Sequence, residues 1–340
     1  MNFNAAVKND PMLREEIEEQ YGQPSDSLEP HQAGTDDDAA APSLTVHNLK
    51  EFLSYKFQPR EMILDPIITT QSVNLLAAFR GVGKTHCSLG MAWAVASGGS
   101  FLRWKASKPR RVLIIDGEMP GAALQSRLSA IMAGSPCDDV DPDMLRIITP
   151  DSQNFSIPNL ANHESQEALN PALEGVELLI LDNISTLTTT RENESDGWTT
   201  MQRWGLRLRK RGISSLLIHH TGFNETRQRG TSRREDTLDT SILLKRPGDY
   251  DPAEGARFEV HFSKGRTLHG KDAEPFEVRL EIDDSESPAA AFHIRDIDSA
   301  RIEKVRALMG LGMEPKEIIE ETGFSSSSVY RLVNKIKAGG

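Results

Sequence analysis

The chain has 340 residues, 38% of them hydrophobic and 26% charged, enough to bury one good-sized core and a smaller unit beside it. Cys87 and Cys137 are too few for a disulfide framework or a zinc site, no apolar run approaches the roughly 18 residues of a membrane span, and the N-terminus lacks the basic-then-apolar order of a signal peptide. These observations argue against redox chemistry and membrane contact and lead us to expect a cytoplasmic protein, while the net charge of −11 leaves a nucleic-acid partner open. Residues 1–43 hold ten acidic side chains against Lys8 and Arg14, and so carry eight of those eleven charges.

Residues 9–23 suit a short acidic helix, and residues 24–43, with Pro, Gly, Ser and three consecutive aspartates, read as a linker. Together they make a largely disordered acidic tail, which either is simply solvated or docks on a protein partner or masks a DNA-binding surface. Order begins near Leu44, where Leu49, Phe52 and Leu53 have helical spacing, and Met62 to Ile68 leads into the first strand.

Strand and helix signals then alternate: strands over 73–77, 111–115, 145–148, 176–181 and 214–219, and helices over 84–97, 121–133 and 198–211. Short apolar strands between amphipathic helices predict a parallel sheet covered on both faces. Segments 241–244, 258–262 and 276–282 read as strands joined by polar loops, an antiparallel extension of the sheet edge. Past Asp296 the pattern turns helical. Ile302, Val305, Leu308 and Met309 mark one helix, 315–321 a second, Thr322-Gly323-Phe324 a turn, and 325–337 a third with Val329, Leu332, Val333 and Ile336 inward. Helix, glycine turn, helix is the helix-turn-helix pattern. Ser326, Ser327, Tyr330, Arg331 and Lys335 on the third helix are the expected DNA contacts, and a packing cap is the competing use of the same helices.

The central motif is Ala78-Phe79-Arg80-Gly81-Val82-Gly83-Lys84-Thr85-His86, a glycine loop between an apolar strand and a helix. Its backbone N–H groups can wrap a polyphosphate, Lys84 can reach the β and γ oxygens, and the Thr85 hydroxyl can hold Mg2+. Ala78 stands where the usual motif has its first glycine. The run Val176–Leu181 ends in Asp182, placed to hold Mg2+ through water as a Walker B carboxylate. The run Val112–Ile115, expected beside the phosphate loop, ends in Asp116-Gly117-Glu118. Glu118 is the favoured general base and Asp116 the competing one.

A further strand delivers His219 and His220, of which His220 is favoured to sense the γ-phosphate. The following loop holds Arg227, Arg229, Arg233 and Arg234, fit for DNA or for a neighbouring subunit's nucleotide. In Ser263-Lys264-Gly265-Arg266 the two cations lie on one side of a strand and can address one triphosphate.

Taken in order, the phosphate loop, Glu118, Asp182, His219-His220, the Arg229-Gly230-Thr231-Ser232 segment with Asp236, and Lys264-Gly265-Arg266 resemble the RecA-like ATPases. Among these they most resemble the plasmid replicative helicases of the RepA type and their relatives in mobile elements. Residues 192–195 are similar to that family's loop after Walker B. The resemblance implies an α/β fold: a RecA-like P-loop core over residues 44–285, with a mostly parallel sheet and antiparallel edge strands. A linker over 286–298 and a small all-α helix-turn-helix domain over 299–340 complete the expected chain.

It also implies ATP and Mg2+ as cofactors and a homo-oligomeric ring, commonly a hexamer, around DNA. In such a ring Lys84 and Glu118 would be catalytic, Asp182 would hold the metal's water shell, and His220 would couple the γ-phosphate to DNA. Arg229, or the Lys264–Arg266 pair, would reach into the neighbour's site. The C-terminal helices are not part of the minimal helicase and suggest DNA targeting. Three functions are therefore carried forward: a replicative-type helicase, an ATP-dependent regulator or helicase loader that does not unwind, and a non-hydrolysing DNA-binding protein assembled by nucleotide.

Overall fold

The structure is a computed structural model, and it describes residues 45–340 apart from 136, 138, 155, 156, 158, 189–193, 222–235, 284, 339 and 340. The chain divides into two compact units, Met1–Gln58 and Pro59–Gly340. In the first, α1 (Leu49–Ser54) is closed by a capping box in which Asn48 accepts from the Glu51 N–H and the Glu51 carboxylate accepts from the Asn48 N–H. Its aromatic residues contact one another, with the Tyr55 and Phe57 ring centroids 4.7 Å apart.

The second unit opens with β1 (Met62–Leu64) and β2 (Ile68–Thr69), followed by β3 (Val73–Ala78) and α2 (Lys84–Ser97). Next come a small hairpin of β4 (Ser100–Phe101) and β5 (Trp104–Lys105), then β6 (Val112–Asp116), α3 (Gly121–Gly134), β7 (Leu145–Ile148) and α4 (His163–Ala168). The series β8 (Leu178–Asp182), α5 (Ile184–Leu187), α6 (Glu194–Lys210), β9 (Ser214–His220) and β10 (Thr240–Lys245) completes the parallel part. Antiparallel β11 (Arg257–Gly265), β12 (Phe276–Ile282) and β13 (Ala290–Asp296) lead to α7 (Ile297–Gly310), α8 (Pro315–Thr322) and α9 (Ser326–Ala338).

The nine-stranded sheet runs β13-β12-β11-β10-β3-β9-β8-β6-β7. From β10 to β7 every neighbouring pair is parallel, and β11 to β13 extend the β10 edge antiparallel. This is the mostly parallel α/β sheet with antiparallel edge strands that the apolar runs predict.

Alternation along the strands explains why it is covered twice. Leu76, Ile114, Ile180 and Ile218 pack on one face with Leu89, Trp93, Leu124 and Ile131 of α2 and α3. Leu75, Ile115, Leu179 and Leu217 pack on the other with Ile184, Leu187, Trp198, Met201 and Trp204 of α5 and α6. A strand apolar at every position has two faces to bury.

Two expectations are corrected. Residues 286–298, read as a linker, contain β13, which pairs with β12 from Phe276↔Asp296 to Ile282↔Ala290. Ala290, Phe292 and Ile294 alternate with exposed Ala291, His293 and Arg295 because only one face meets the core. The strand carrying Glu118 is not beside the phosphate loop either. β9 and β8 stand between β3 and β6.

The last three helices share a core of Val305, Leu308, Ile318, Phe324, Val329, Leu332 and Val333. Gly323, at φ 65°, ends α8 in the left-handed conformation and turns the chain into α9. Ion pairs tie this part to the sheet edge: Arg301 of α7 to buried Glu259 of β11 at 2.8 Å and Glu303 of α7 to Arg295 of β13 at 3.6 Å.

The end of α3 lies against β13, and a Cβ built on Gly134 would stand 1.9 Å from the Ala290 carbonyl oxygen. Gly134→Ala should therefore destabilise by about 1–3 kcal/mol despite alanine's better helix propensity. Urea unfolding of parent and variant measures this, and an equal midpoint would mean that β13 yields to the added methyl.

Candidate nucleotide site

β3 ends in Ala78, whose carbonyl accepts the Thr221 N–H at 3.0 Å, and the chain then loops to α2. Gly81 and Gly83 have φ values of 75° and 125°, a conformation that side chains rarely take. Ala78 belongs to the extended strand and is fully buried, so the glycine of the usual motif is not needed for backbone shape at that position. The Lys84 ammonium donates to the carbonyls of Ala78 and Phe79, both at 3.1 Å. Burial lowers its pKa to about 8, opposed by the charges of Asp182 and Glu118 and aided by Arg80.

The ends of β6 and β8 lie side by side, with Asp116 opposite Asp182. Burial raises the Asp182 pKa to about 6 and the neighbouring Asp116 charge adds to the rise, against hydrogen bonds from Thr85 and Ser88 and the charge of Lys84. The Ser88 hydroxyl lies 3.3 Å from the Asp182 carboxylate. Asp116 is 2% exposed, and its Oδ1 accepts from the N–H groups of Glu118 at 2.9 Å and Met119 at 2.7 Å. It therefore shapes the turn after β6, and burial raises its pKa.

That turn points Glu118 across β8. Its carboxylate accepts from the Asn183 amide and lies 3.2 Å from His220 Nε2, which is 3.0 Å from Asn183 Nδ2. Both polar contacts of His220 use Nε2, so the tautomer protonated there donates to Glu118, and the tautomer protonated at Nδ1 instead accepts at Nε2 from Asn183. Burial lowers the His220 pKa, opposed by the hydrogen bond to Glu118 and aided by Lys84 and Arg80. His86, on the first turn of α2, is held near 4 by burial and by Arg127.

Lys84, Thr85, His86, Asp116, Glu118, Asp182 and His220 line one open pocket of about 540 Å³ with Arg80, Gly81 and Gly83. That size suits a nucleotide. The structure thus brings both carboxylate candidates, the phosphate loop and His220 together. Asp116 has one oxygen committed to backbone, whereas the Glu118 side chain is 54% exposed. Val82 is buried under the loop and Phe79 packs against the core.

Sequence reasoning missed Asn183, Arg127 and Tyr250. Asn183 is fully buried, and its Oδ1 accepts the Thr186 N–H at 3.2 Å to cap α5. An asparagine before an apolar helical run signals that cap, but not the contact with Glu118. Arg127 follows pocket-lining Ala123 by one helical turn on α3 and shows no signal until that face is known to meet the phosphate loop.

Lys264 and Arg266 do not line this pocket. Both donate to the Asp236 carbonyl, at 3.0 and 3.4 Å. Gly265 pairs with Thr240, which pairs with Asn74 near the start of β3, so strand rise alone separates them from Ala78 by about 13 Å. On α9, Ser326, Ser327, Tyr330 and Lys335 are exposed, while Arg331 pairs with Asp298 of α7 at 3.1 Å. Arg227, Arg229, Arg233 and Arg234 lie outside the described residues.

Hard oxygen donors are what Mg2+ takes, and the Thr85 hydroxyl and Asp182 carboxylate fit it. Among the described residues no cluster of three His, Cys, Asp or Glu side chains could hold a metal by itself. Phosphate and water oxygens would complete the shell. No described helix is long and apolar enough to cross a membrane.

The family model described as "AAA domain" matches residues 39–225, from before α1 through β9 and His220. No curated protein matches the sequence. Among solved structures the chain is similar to one described as an ATPase domain, at 15% identity and TM-score 0.45 over 62% of this chain and 81% of that one. It is also similar to the flagellar accessory protein FlaH from Methanocaldococcus jannaschii, at 12% identity and TM-score 0.45 over 66% and 91%. Similarity this low carries nothing further to this chain. The fold is a RecA-like P-loop α/β core with antiparallel edge strands and C-terminal helices.

The Lys84 pKa gives a pH dependence. Below about 8 the free protein already carries the charge that a polyphosphate attracts, and above 8 binding must take up a proton. The Lys84 contribution to ATP affinity should be flat below that point and weaken by up to about tenfold per pH unit above it. Titration calorimetry in two buffers of different ionisation enthalpy should show proton uptake at pH 9 and little from Lys84 at pH 7. Asn183→Ala should keep ATP affinity within about threefold and cut turnover tenfold or more, because Glu118 and His220 lose their shared anchor. Equal turnover would remove Asn183 from the site.

Proposed function

We propose that this chain, which belongs to the AAA-domain family, is a Mg2+-dependent ATPase that assembles as a ring and works on DNA, most simply as a replicative-type helicase of the RepA kind. The observation that carries the hydrolytic reading is the convergence of Lys84, Thr85, Asp182, Glu118 and His220 from the ends of β3, β6, β8 and β9 on one pocket. Lys84 and the loop N–H groups hold the β and γ phosphates. Thr85 and Asp182 hold Mg2+, which when bound offsets charge on the phosphate oxygens. Glu118 orients and deprotonates the attacking water. His220 shares the Asn183 anchor with Glu118 and reports the γ-phosphate to the loop after β9.

The ring reading is supported by Lys264 and Arg266, which stand at the end of the sheet away from their own phosphate loop, where they can serve a neighbouring subunit. Arg229 is retained as the alternative finger. The exposed face of α9, with Ser326, Ser327, Tyr330 and Lys335, supports DNA contact and a helix-turn-helix role. A second reading, an ATP-dependent regulator or loader without unwinding, is favoured by the ion pairs that hold α7 to the sheet. Helices held there suit a switch as well as a motor.

ATP turnover with and without single-stranded DNA, on material of known mass, tests the class, and a forked duplex separates the two readings. Glu118→Gln should bind ATP like the parent and lose turnover about a hundredfold or more. Turnover equal to the parent would refute its role as base. Tyr330→Ala with Lys335→Ala should weaken duplex binding by about tenfold and lower its salt dependence, leaving ATP affinity unchanged.

A further inference from the structure

We propose that the loop joining β10 to β11, residues 246–256, is the nucleobase wall of the pocket, with the Tyr250 ring as the platform on which the base stacks. This rests on the nucleotide reading above and adds where the other end of the nucleotide lies. Asp116, Glu118, Asp182 and His220 come from β6, β8 and β9, all on one side of β3. A triphosphate whose reacting end faces those groups runs its nucleoside across Gly81 and Gly83 to the other side, toward β10 and β11. There the pocket is lined by Tyr250, Gly255 and Ala256.

The ring is held as a platform. Its hydroxyl donates to the Gly255 carbonyl at 2.9 Å. The Arg246 guanidinium lies 4.9 Å from the ring centroid and 3.5 Å from the Gly81 carbonyl, so one cation spans the phosphate loop and the aromatic wall. Gly255 and Ala256 add almost no side chain and leave space beside the ring.

The loop is also fixed before any ligand arrives. Buried Arg257 binds Asp249 at 3.0 Å, Glu254 at 2.9 Å and Glu277 at 2.8 Å, and Asp251 caps the short turn that follows Tyr250 by accepting the Ala253 N–H. Outside, Gly248 packs on the α8–α9 turn, where an added Cβ would stand 3.5 Å from the Thr322 carbonyl oxygen. An aromatic wall fixed in this way stacks a base with little ordering cost.

Tripolyphosphate separates the two ends of the ligand, because it has the phosphates and no base. Affinities for ATP and tripolyphosphate are measured for the parent, Tyr250→Ala and Tyr250→Phe. The parent should bind ATP more tightly than tripolyphosphate. Tyr250→Ala should lose about tenfold to a hundredfold in ATP affinity and keep tripolyphosphate within about twofold, and Tyr250→Phe should stay near the parent for both. If Tyr250→Ala loses both ligands equally, the ring merely supports the phosphate loop and the proposal falls. Unchanged ATP affinity overturns it as well. A parent that binds neither ligand overturns the nucleotide reading itself.

Discussion

Lys84 is a cation taken out of water and given two carbonyl oxygens in exchange, and the arrangement of the pocket depends on it. Around it stand Asp182 and Asp116, two carboxylates whose burial pushes their affinity for protons up, with the Asp116 charge adding to the rise at Asp182 and the Glu118 charge to that at Asp116. Such a cluster is poorly solvated as it stands. A polyphosphate with a divalent cation supplies the opposite charges that each member lacks, so the residues that disfavour an empty pocket are those that favour a filled one. The same pull explains why one oxygen of Asp116 is spent on two backbone N–H groups, which lets a second carboxylate sit so close to the first.

Parallel strands make the cluster possible. β3, β6, β8 and β9 all run the same way, so their C-terminal ends and the loops beyond them meet at one edge of the sheet. The apolar runs that bury both faces of the sheet also set the height at which each run stops. Ala78, Asp116, Asp182 and His220 are the last strand residues; Ala78 is level with His220 and Asp116 with Asp182, the second pair stopping two residues, about 7 Å, short of the first. Asn183, one residue later, ties the β6 turn to the end of β9 and so joins the two chemical candidates into one unit.

The edge strands connect this pocket to the rest of the chain. β11 begins with Arg257, which holds the loop over the pocket, and carries Glu259, which pairs with Arg301 of α7. β13, alternating because one face alone meets the core, passes directly into α7. The C-terminal helices are therefore fastened to the strand that shapes one wall of the pocket, and Gly248 touches the turn between the last two.

Local pattern in the sequence was enough for the parallel strands, the phosphate loop, the strand-end positions of Asp182 and His220, and the inward stripe of α9. Each depends on neighbours a few residues away: uniform apolarity for a two-faced strand, glycines for a turn, periodicity for a helix face. The order of strands was not legible, because nothing local says that β9 and β8 lie between β3 and β6. Nor was the site's company. Asn183 against Glu118, Arg127 on the pocket face of α3, Tyr250 across from the phosphate loop, and Lys264 with Arg266 at the far end of the sheet are all set by which strands pair. Pairing is settled by burying the sheet's two faces as a whole, a collective constraint that no short segment carries.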